Sequence, residues 1–529
     1  TLNPYRHGEV FVLDDGTETD MDLGTYERML DQNLSRQNFA TSGQIFSTIL
    51  ERERRGGYLG RDVQMIPHVT GEVKHRLRRL AMTGGENGGA ADVVFVEVGG
   101  TVGDFENGFY IEALRELAYE EGPSSVCFVA LTYVIEPEIL GEQKSKAAQL
   151  GIKLLMQAGI QPHLIACRCE NPVTNSAMEK ISMFSNVPMH RVFSMHDRES
   201  IYVIPDALRA EGLDREVLSI LDLHGRVDVA AEDAARQSWS SYATAIVSPR
   251  EESVRVGILG KYASLRDAYA SIEKSIEHAS THLGVRPELL WVDVSEHQPE
   301  KLGSVLSDLD LNAIIVPGGF GDRGVEGKIE TVRYARESRV PFLGICLGFQ
   351  MAVIEFARNQ AGLRDAHSSE FSEAGTSVIS ELPEQKAIEG LRGTMRLGGQ
   401  DVSLTPGTLA HWLFDRDRVR ERFRHRYEVE PAHIERFASH GLIFSGRHPE
   451  RPIMQMLELP LDQHPFFFAA QSHPELVSRP LSPQPMFMGL LSAAIRHAYP
   501  TLALEGVRSR WLASESTAGA PGSSTQPLH

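Results

Sequence analysis

Short apolar runs alternate with amphipathic stretches along most of this chain. Residues 91–98 (Ala-Asp-Val-Val-Phe-Val-Glu-Val), 125–131 and 163–167 have the length and composition of strands. Residues 109–120 and 142–158 carry helical periodicity instead. The alternation resumes in a second unit with strand-like runs at 254–260, 313–316 and 342–345. Strands interleaved with helices in this way predict an α/β architecture with parallel sheets in both halves. Around 231–253 the sequence turns to Ala, Glu, Ser and Arg without strong periodicity, and a linker between domains 1–230 and 254–505 is expected there. Residues 506–529, rich in Ser, Thr, Gly, Ala and Pro, lack the apolar content to pack and are expected to be disordered.

Composition narrows the class of molecule. A chain of 529 residues exceeds what one core organises, in keeping with two domains. Nothing approaches the ~20 consecutive apolar residues of a membrane span, and no charged-then-apolar signal opens the sequence. A net charge of −18 argues against nucleic-acid binding, which wants a basic face. It leaves room for anionic small substrates, since a pocket needs only a few local cations. The four cysteines lie in or beside apolar runs, which predicts reduced thiols and a cytoplasmic setting. Cys167-Arg-Cys169 has no second Cys/His pair at zinc spacing, so a strand interior is the better reading.

Chemistry concentrates at Gly344-Ile-Cys346-Leu-Gly348, which ends the apolar run from Val340. A small-x-nucleophile-x-small pattern at a strand end reads as a nucleophile elbow. A lone cysteine in such a run is ordinarily a core thiol. Two further segments reverse that preference: His473-Pro-Glu475 offers a base and a group to orient it. Ile314-Ile-Val-Pro-Gly-Gly319-Phe-Gly321 offers backbone N–H groups to an oxyanion, with Gly319 and Leu347 as candidates. In the first half, Glu97 interrupts an apolar run just before a Gly-Gly turn, and Asp22 lies in the acidic cluster Glu18, Asp20, Asp22. Hard oxygen ligands from separate segments suit Mg²⁺ held with phosphates, although the cluster reads equally as a solvated turn. Lys144 and Lys146, with Gln149 and Lys180, can reach phosphate oxygens or form a solvated helix start.

The segments Pro317-Gly-Gly-Phe-Gly321, Gly344-Ile-Cys-Leu-Gly-Phe-Gln350 and His473-Pro-Glu475 resemble class I glutamine amidotransferases. Glu18-Thr-Asp-Met-Asp-Leu-Gly24, Val63-Gln-Met-Ile-Pro-His68, Glu97-Val-Gly-Gly-Thr-Val-Gly-Asp104, Gly393-Thr-Met-Arg-Leu-Gly398 and Arg424-His-Arg-Tyr-Glu428 narrow the resemblance to the CTP synthase family. It runs from residue 1 to residue 500 or so. The resemblance implies an N-terminal nucleotide-binding amidoligase domain and a C-terminal type 1 glutamine amidotransferase domain. The implied reaction is ATP-dependent amination of UTP to CTP with ammonia from L-glutamine, the last step of de novo CTP synthesis. It further implies Mg²⁺, ATP as co-substrate, GTP as allosteric activator, CTP as product and feedback inhibitor, and a homotetramer. By resemblance, Cys346, His473 and Glu475 are catalytic, and Gln350, Glu370 and Arg426 grip glutamine. Asp104, Glu106, Lys144, Lys146, Gln149 and Lys180 match UTP/CTP-binding positions. Asp22, His196, Asp197 and Arg198 match ATP-binding positions, Asp22 and Glu97 the magnesium ligands. Pro4, His7 and Val10 match positions along the ammonia passage, and 393–398 the lid that answers to GTP.

The sequence departs from the family at several of these positions. His196 replaces a lysine, Thr25 a histidine, Phe349 a methionine and Ser472 an aromatic residue. The family also opens with a strand, a Gly/Ser/Lys phosphate loop and a helix, about fifty residues in all, that cradle ATP. The present sequence begins after them and has no other Gly-x-x-x-x-Gly-Lys-Ser/Thr. The expectation is a fragment or short form that binds Mg·ATP poorly. The alternative reading is a glutaminase-only relic or a non-catalytic regulatory subunit.

Overall fold

The computed structural model describes residues 8–84, 88–137, 141–261, 265–372, 374–381 and 395–502. Pro4 and His7, residues 393–394 of the lid, and the tail from 503 onward lie outside them. The chain divides into two compact units, one of Thr1–Arg36 with Ser248–His529 and the other of Gln37–Val247.

The first unit opens with a strap: β1 (Phe11–Val12) and β2 (Glu18–Thr19) pair antiparallel, and α1 (Met21–Leu30) follows. Asp20 caps α1, its carboxylate accepting from the Asp22 N–H, a usual role for aspartate before a first turn. The chain then builds the second unit. Helices α2 (Ser42–Arg54), α3 (Thr70–Thr83) and α4 (Gly108–Glu121) precede β3 (Val129–Tyr133). They are followed by α5 (Lys146–Gln157), β4 (Leu164–Cys169), α6 (Asn175–Ser185) and β5 (Val192–His196). The sheet β3-β4-β5 is wholly parallel. Its core is small, built on Ile152, Ile165, Cys167, Cys169 and Ile181. Burial pushes the Cys167 thiol up to about 12, so it is an inert strand-interior group.

Two expectations need correction here. Residues 91–98 form no strand: they join no ladder among the described residues, and Phe95 is 80% exposed. A strand exists only through its neighbours, and the apolar run shows composition without showing a partner. The stretch 231–253 is mostly helix, α7 (Val229–Val247), which closes the second unit. Alanine, glutamate and arginine are strong helix formers even where periodicity is weak. Trp239 anchors it, its indole N–H donating to the Tyr202 carbonyl at 2.9 Å.

The rest of the first unit is organised on one nine-stranded sheet. Its elements are β6 (Ser253–Gly260), α8 (Ala270–Leu283), β7 (Arg286–Asp293), β8 (Ala313–Val316), α9 (Val325–Ser338), β9 (Phe342–Ile345) and α10 (Leu347–Asn359). They continue with β10 (Arg396–Leu404), β11 (Arg418–His425), β12 (Ile443–Arg447), β13 (Met454–Glu458), β14 (Phe467–Ala470) and α11 (Pro485–Ala498). Strand order is β11-β10-β12-β13-β14-β9-β8-β6-β7. The stretch from β14 to β7 is parallel and the other end antiparallel.

β8, β9 and β14 are buried on both faces, which explains their unbroken apolar runs. Ile314, Val316 and Phe342 face a cluster with α9 and α10, while Ala313, Ile315, Leu343 and Ile345 face α8 and α11. β8, β9 and β14 lie side by side, so the loops leaving their carboxyl ends converge.

Candidate functional site

Cys346 occupies the turn from β9 into α10 at φ 51°, ψ −100°, a conformation that L side chains rarely adopt. Gly348 permits it: a Cβ there would sit 2.1 Å from the Val316 carbonyl oxygen. The elbow thus stands against β8 with its thiol 3.7 Å from both the Arg424 carbonyl and the Gln471 side-chain nitrogen.

His473 leaves the end of β14 two residues beyond Gln471. Its Nδ1 lies 2.7 Å from Glu475 Oε1, and that carboxylate is nearly buried. Its Nε2 is buried without a hydrogen-bond partner among the described residues. Burial disfavours the imidazolium, but the Glu475 carboxylate and the Cys346 sulfur outweigh it and push the ring up to about 10. Held by Glu475 beside the Cys346 sulfur, the His473 imidazolium is placed to give a proton to a leaving group.

The glycine loop after β8 is pinned by two lysines. Lys328 on α9 is fully buried and donates to the Pro317 carbonyl at 3.1 Å. Lys261, at the end of β6, donates to the Phe320 carbonyl. Burial first, then repulsion from Lys261, brings the Lys328 ammonium down to about 7. With its carbonyls held from behind, the loop presents Gly318 to Cys346 and His473, a Cβ there falling 2.9 Å from the imidazole, while Gly319 faces Leu347 and the two lysines.

Glu370 accepts from the Gly321 N–H at 2.9 Å, and burial raises its pKa, with Lys261 and Arg426 opposing. Gln350 is buried and donates to the Tyr427 carbonyl and to Gln471 Oε1, both at 3.2 Å. Arg426 is exposed at the rim. Sequence reasoning missed Lys328 and Gln471. A lysine on the apolar stripe Val325, Ile329, Val332 was the readable signal for the first, and adjacency to His473 for the second.

The candidate nucleotide residues are arranged differently. Lys144 and Lys146 sit at the start of α5, on the loop leaving β3; Lys144 pairs with Glu142 at 2.6 Å, and Lys146 is exposed. Gln149 is buried against Ser145. Lys180 is exposed on α6, and Asp104 and Glu106 are exposed ahead of α4. His196 ends β5, where burial and Arg198 lower its pKa, and Asp197 accepts from Arg168 at 2.6 Å. The lysine pair and the 196–198 segment therefore leave the same, carboxyl, edge of the parallel sheet. Glu97, expected inside a strand, is exposed. Asp22 is exposed in the first turn of α1 and belongs to the other unit. Among the described residues no three His, Cys, Asp or Glu side chains converge as a metal cluster. No described helix is long and apolar enough to cross a membrane.

Comparison with known proteins bears on both units. Residues 1–223 match the family model described as CTP synthase N-terminus, and residues 264–493 match glutamine amidotransferase class-I. The chain is 45% identical over 496 residues to a CTP synthase of Methanopyrus kandleri, covering 93% of this chain and 90% of that one. It is 46% identical over 499 residues to a CTP synthase of Pyrococcus abyssi, covering 93% and 89%. Among solved structures, the glutaminase domain of Trypanosoma brucei CTPS with bound acivicin is 34% identical, with a TM-score of 0.42, covering 46% of this chain and 94% of that one.

Proposed function

This chain belongs to the CTP synthase family, and from that premise we propose how its residues divide the amination of UTP to CTP between a glutaminase site and a nucleotide site. The enzyme is a glutamine-hydrolysing, CTP-forming ligase. Cys346 attacks the side-chain amide carbon of glutamine, and the N–H groups of Gly319 and Leu347 take up the oxyanion. His473 gives its proton to the leaving nitrogen, which departs as ammonia and leaves a γ-glutamyl thioester. The neutral imidazole then takes a proton from water, whose oxygen attacks the thioester and frees glutamate and the thiol. Glu475 holds the imidazole by Nδ1 throughout, so Nε2 is the nitrogen that exchanges protons. Glu370 and Arg426 suit the α-amino and α-carboxylate ends of glutamine, with Gln350 beside them.

In the nucleotide half, Lys144, Lys146 and Lys180 bind the UTP triphosphate. Gln149, Asp104 and Glu106 contact the pyrimidine nucleotide, and His196, Asp197 and Arg198 the adenine of ATP. ATP phosphorylates O4 of UTP, and ammonia displaces that phosphate at C4, giving CTP, ADP and phosphate. Asp22 and Glu97 are exposed carboxylates, the hard oxygen donors that Mg²⁺ takes alongside phosphates and water. Held with the nucleotide, Mg²⁺ would supply charge neutralisation for the triphosphate. A cytoplasmic setting suits the four free thiols. A homotetramer suits a second unit that exposes Leu59, Phe95 and Phe105. GTP activation through the lid and feedback by CTP complete the proposal.

The observation that carries the reading is the pre-assembled line Cys346, His473, Glu475 at the ends of adjacent strands. Ammonia release from glutamine, run beside CTP formation from UTP, Mg·ATP and free ammonia, tests it. Ammonia release is expected, absence of glutamine hydrolysis would overturn the assignment, and the yield of CTP reads how well the chain binds Mg·ATP. No observation favours a glutaminase-only relic or a regulatory subunit.

A further inference from the structure

The strap contributes more than area to the glutaminase. β11 places an arginine at every second position, so Arg420, Arg422 and Arg424 point to one side. Each meets an acid of the strap: Arg420 pairs with Asp14 at 2.9 Å, Arg422 with Glu27 at 2.8 Å and Arg424 with Glu18 at 2.7 Å. The outer pairs are partly exposed, whereas Glu27 and Arg422 are closed to solvent.

Glu27 is the hub. Its carboxylate accepts from Arg422 Nη1 and Nη2 at 2.8 and 3.1 Å, from Arg479 Nη2 at 2.8 Å and from the Leu34 N–H at 2.8 Å. Both arginines hold the turn that carries the base and its orienting group. The main-chain carbonyl of Arg422 accepts from the His473 N–H at 2.8 Å. Arg479 Nη1 donates to the carbonyls of Leu476 at 3.4 Å and Ser478 at 3.3 Å. Residues 473–478 are thus held at one end by the main chain of Arg422 and at the other by the side chain of Arg479, two arginines that share one buried carboxylate.

We propose that Glu27 is a positioning residue for glutamine hydrolysis, fixing His473 and Glu475 against Cys346 through Arg422 and Arg479. The inference rests on the reading of those three residues as the glutaminase site. Without the carboxylate, two buried guanidinium groups face each other uncompensated. They separate, and the turn moves with them. Displacements well under a hydrogen-bond length at a base cost rate while leaving substrate contacts in place. The glutamine-binding candidates Gln350, Glu370 and Arg426 lie on other segments, so affinity should be spared.

The test uses the full chain and measures ammonia release from glutamine. Glu27→Gln keeps shape and loses charge; kcat should fall about 10–100-fold with KM within about twofold. Glu27→Asp, which keeps the charge, should recover part of that loss. Asp14→Asn, on the same strap but at a partly exposed pair, should leave kcat unchanged. Thermal melting establishes that each variant is folded. Should Glu27→Gln fail to fold, Arg479→Gln leaves the Glu27–Arg422 pair intact and loosens only the far end of the turn. It too should lower kcat with KM held. Unchanged kcat in a folded Glu27→Gln or Arg479→Gln protein overturns the proposal, as does a rise in KM alone. Ammonia release that survives Cys346→Ala would overturn the underlying assignment instead.

Discussion

The residues proposed for glutamine hydrolysis, Cys346 and His473, and two of the segments proposed for nucleotide binding, Lys144–Lys146 and 196–198, lie at carboxyl ends of parallel strands, yet they are finished to different degrees. Around Cys346 the chain holds the groups itself: the elbow sits in a strained turn, His473 is tied to a nearly buried carboxylate, and the glycine loop is pinned by two lysines. Around Lys146, Lys180, Asp104 and Glu106 the charges stand exposed. A covalent catalyst has to hold its own groups at reacting distance before substrate arrives. A site for polyanions can leave its cations in water, because the ligand brings the opposite charge and completes the structure.

That difference can be broken by mutation. The largest effect is expected from Cys346→Ala, which should lower glutamine hydrolysis by about a thousandfold or more and leave ammonia-dependent CTP formation intact. Equal loss of both activities would show the two sites to be one. Gly348→Ala comes next. Its Cβ would meet the Val316 carbonyl at 2.1 Å, and overpacking there should cost about 2–3 kcal/mol of stability by denaturant melting, with loss of ammonia release. Lys146→Ala or Lys180→Ala should raise the KM for UTP about tenfold, as the loss of one charged phosphate contact does. Glutamine hydrolysis should stay unchanged. If both activities fall together, the open site is as tightly integrated as the closed one.

The smallest effect concerns pH. Burial, with the neighbouring Glu475 adding to it, raises Glu421 from 4.5 to about 8, although Gln484 and Arg422 oppose the shift. Because the folded state holds this proton more tightly, its contribution is complete below about pH 4.5 and is lost as the pH rises through 8. Glu421→Gln is permanently neutral. It should match the parent at pH 5 and melt about 2–4 °C higher at pH 9. The reverse order would mean that Glu421 is charged in the folded protein.

The same contrast governs what could be read from the residues alone. Three parallel strands of the first unit were legible almost to the residue, since runs such as Ala313–Val316 and Phe342–Ile345 are wholly apolar and flanked by proline on one side; β7 and β14 were not read. The elbow and its base were legible because close backbone approach demands small residues at fixed offsets. What escaped was set by partners distant in the chain. Residues 91–98 have strand composition and no ladder among the described residues, and α7 has helix-forming composition with little periodicity. Lys328 reads as one charge on a helix until its neighbours are known to enclose it. The arginines of β11 read as a basic surface run; only their register against Asp14, Glu18 and Glu27 shows what they do.

The pairing of strap and β11 also has a consequence in time. Glu27 and Arg422 are 395 residues apart in sequence. At the ribosome's pace of about 5–20 residues per second, roughly 20–80 s separate their emergence. Throughout that interval the acids of the strap remain hydrated, and the turn carrying His473, later still in the chain, has yet to be made. The segment that emerges early is therefore among the last to be seated. A nascent chain held to that schedule cannot seat the turn carrying His473 on Glu27 until both ends of that long span have emerged.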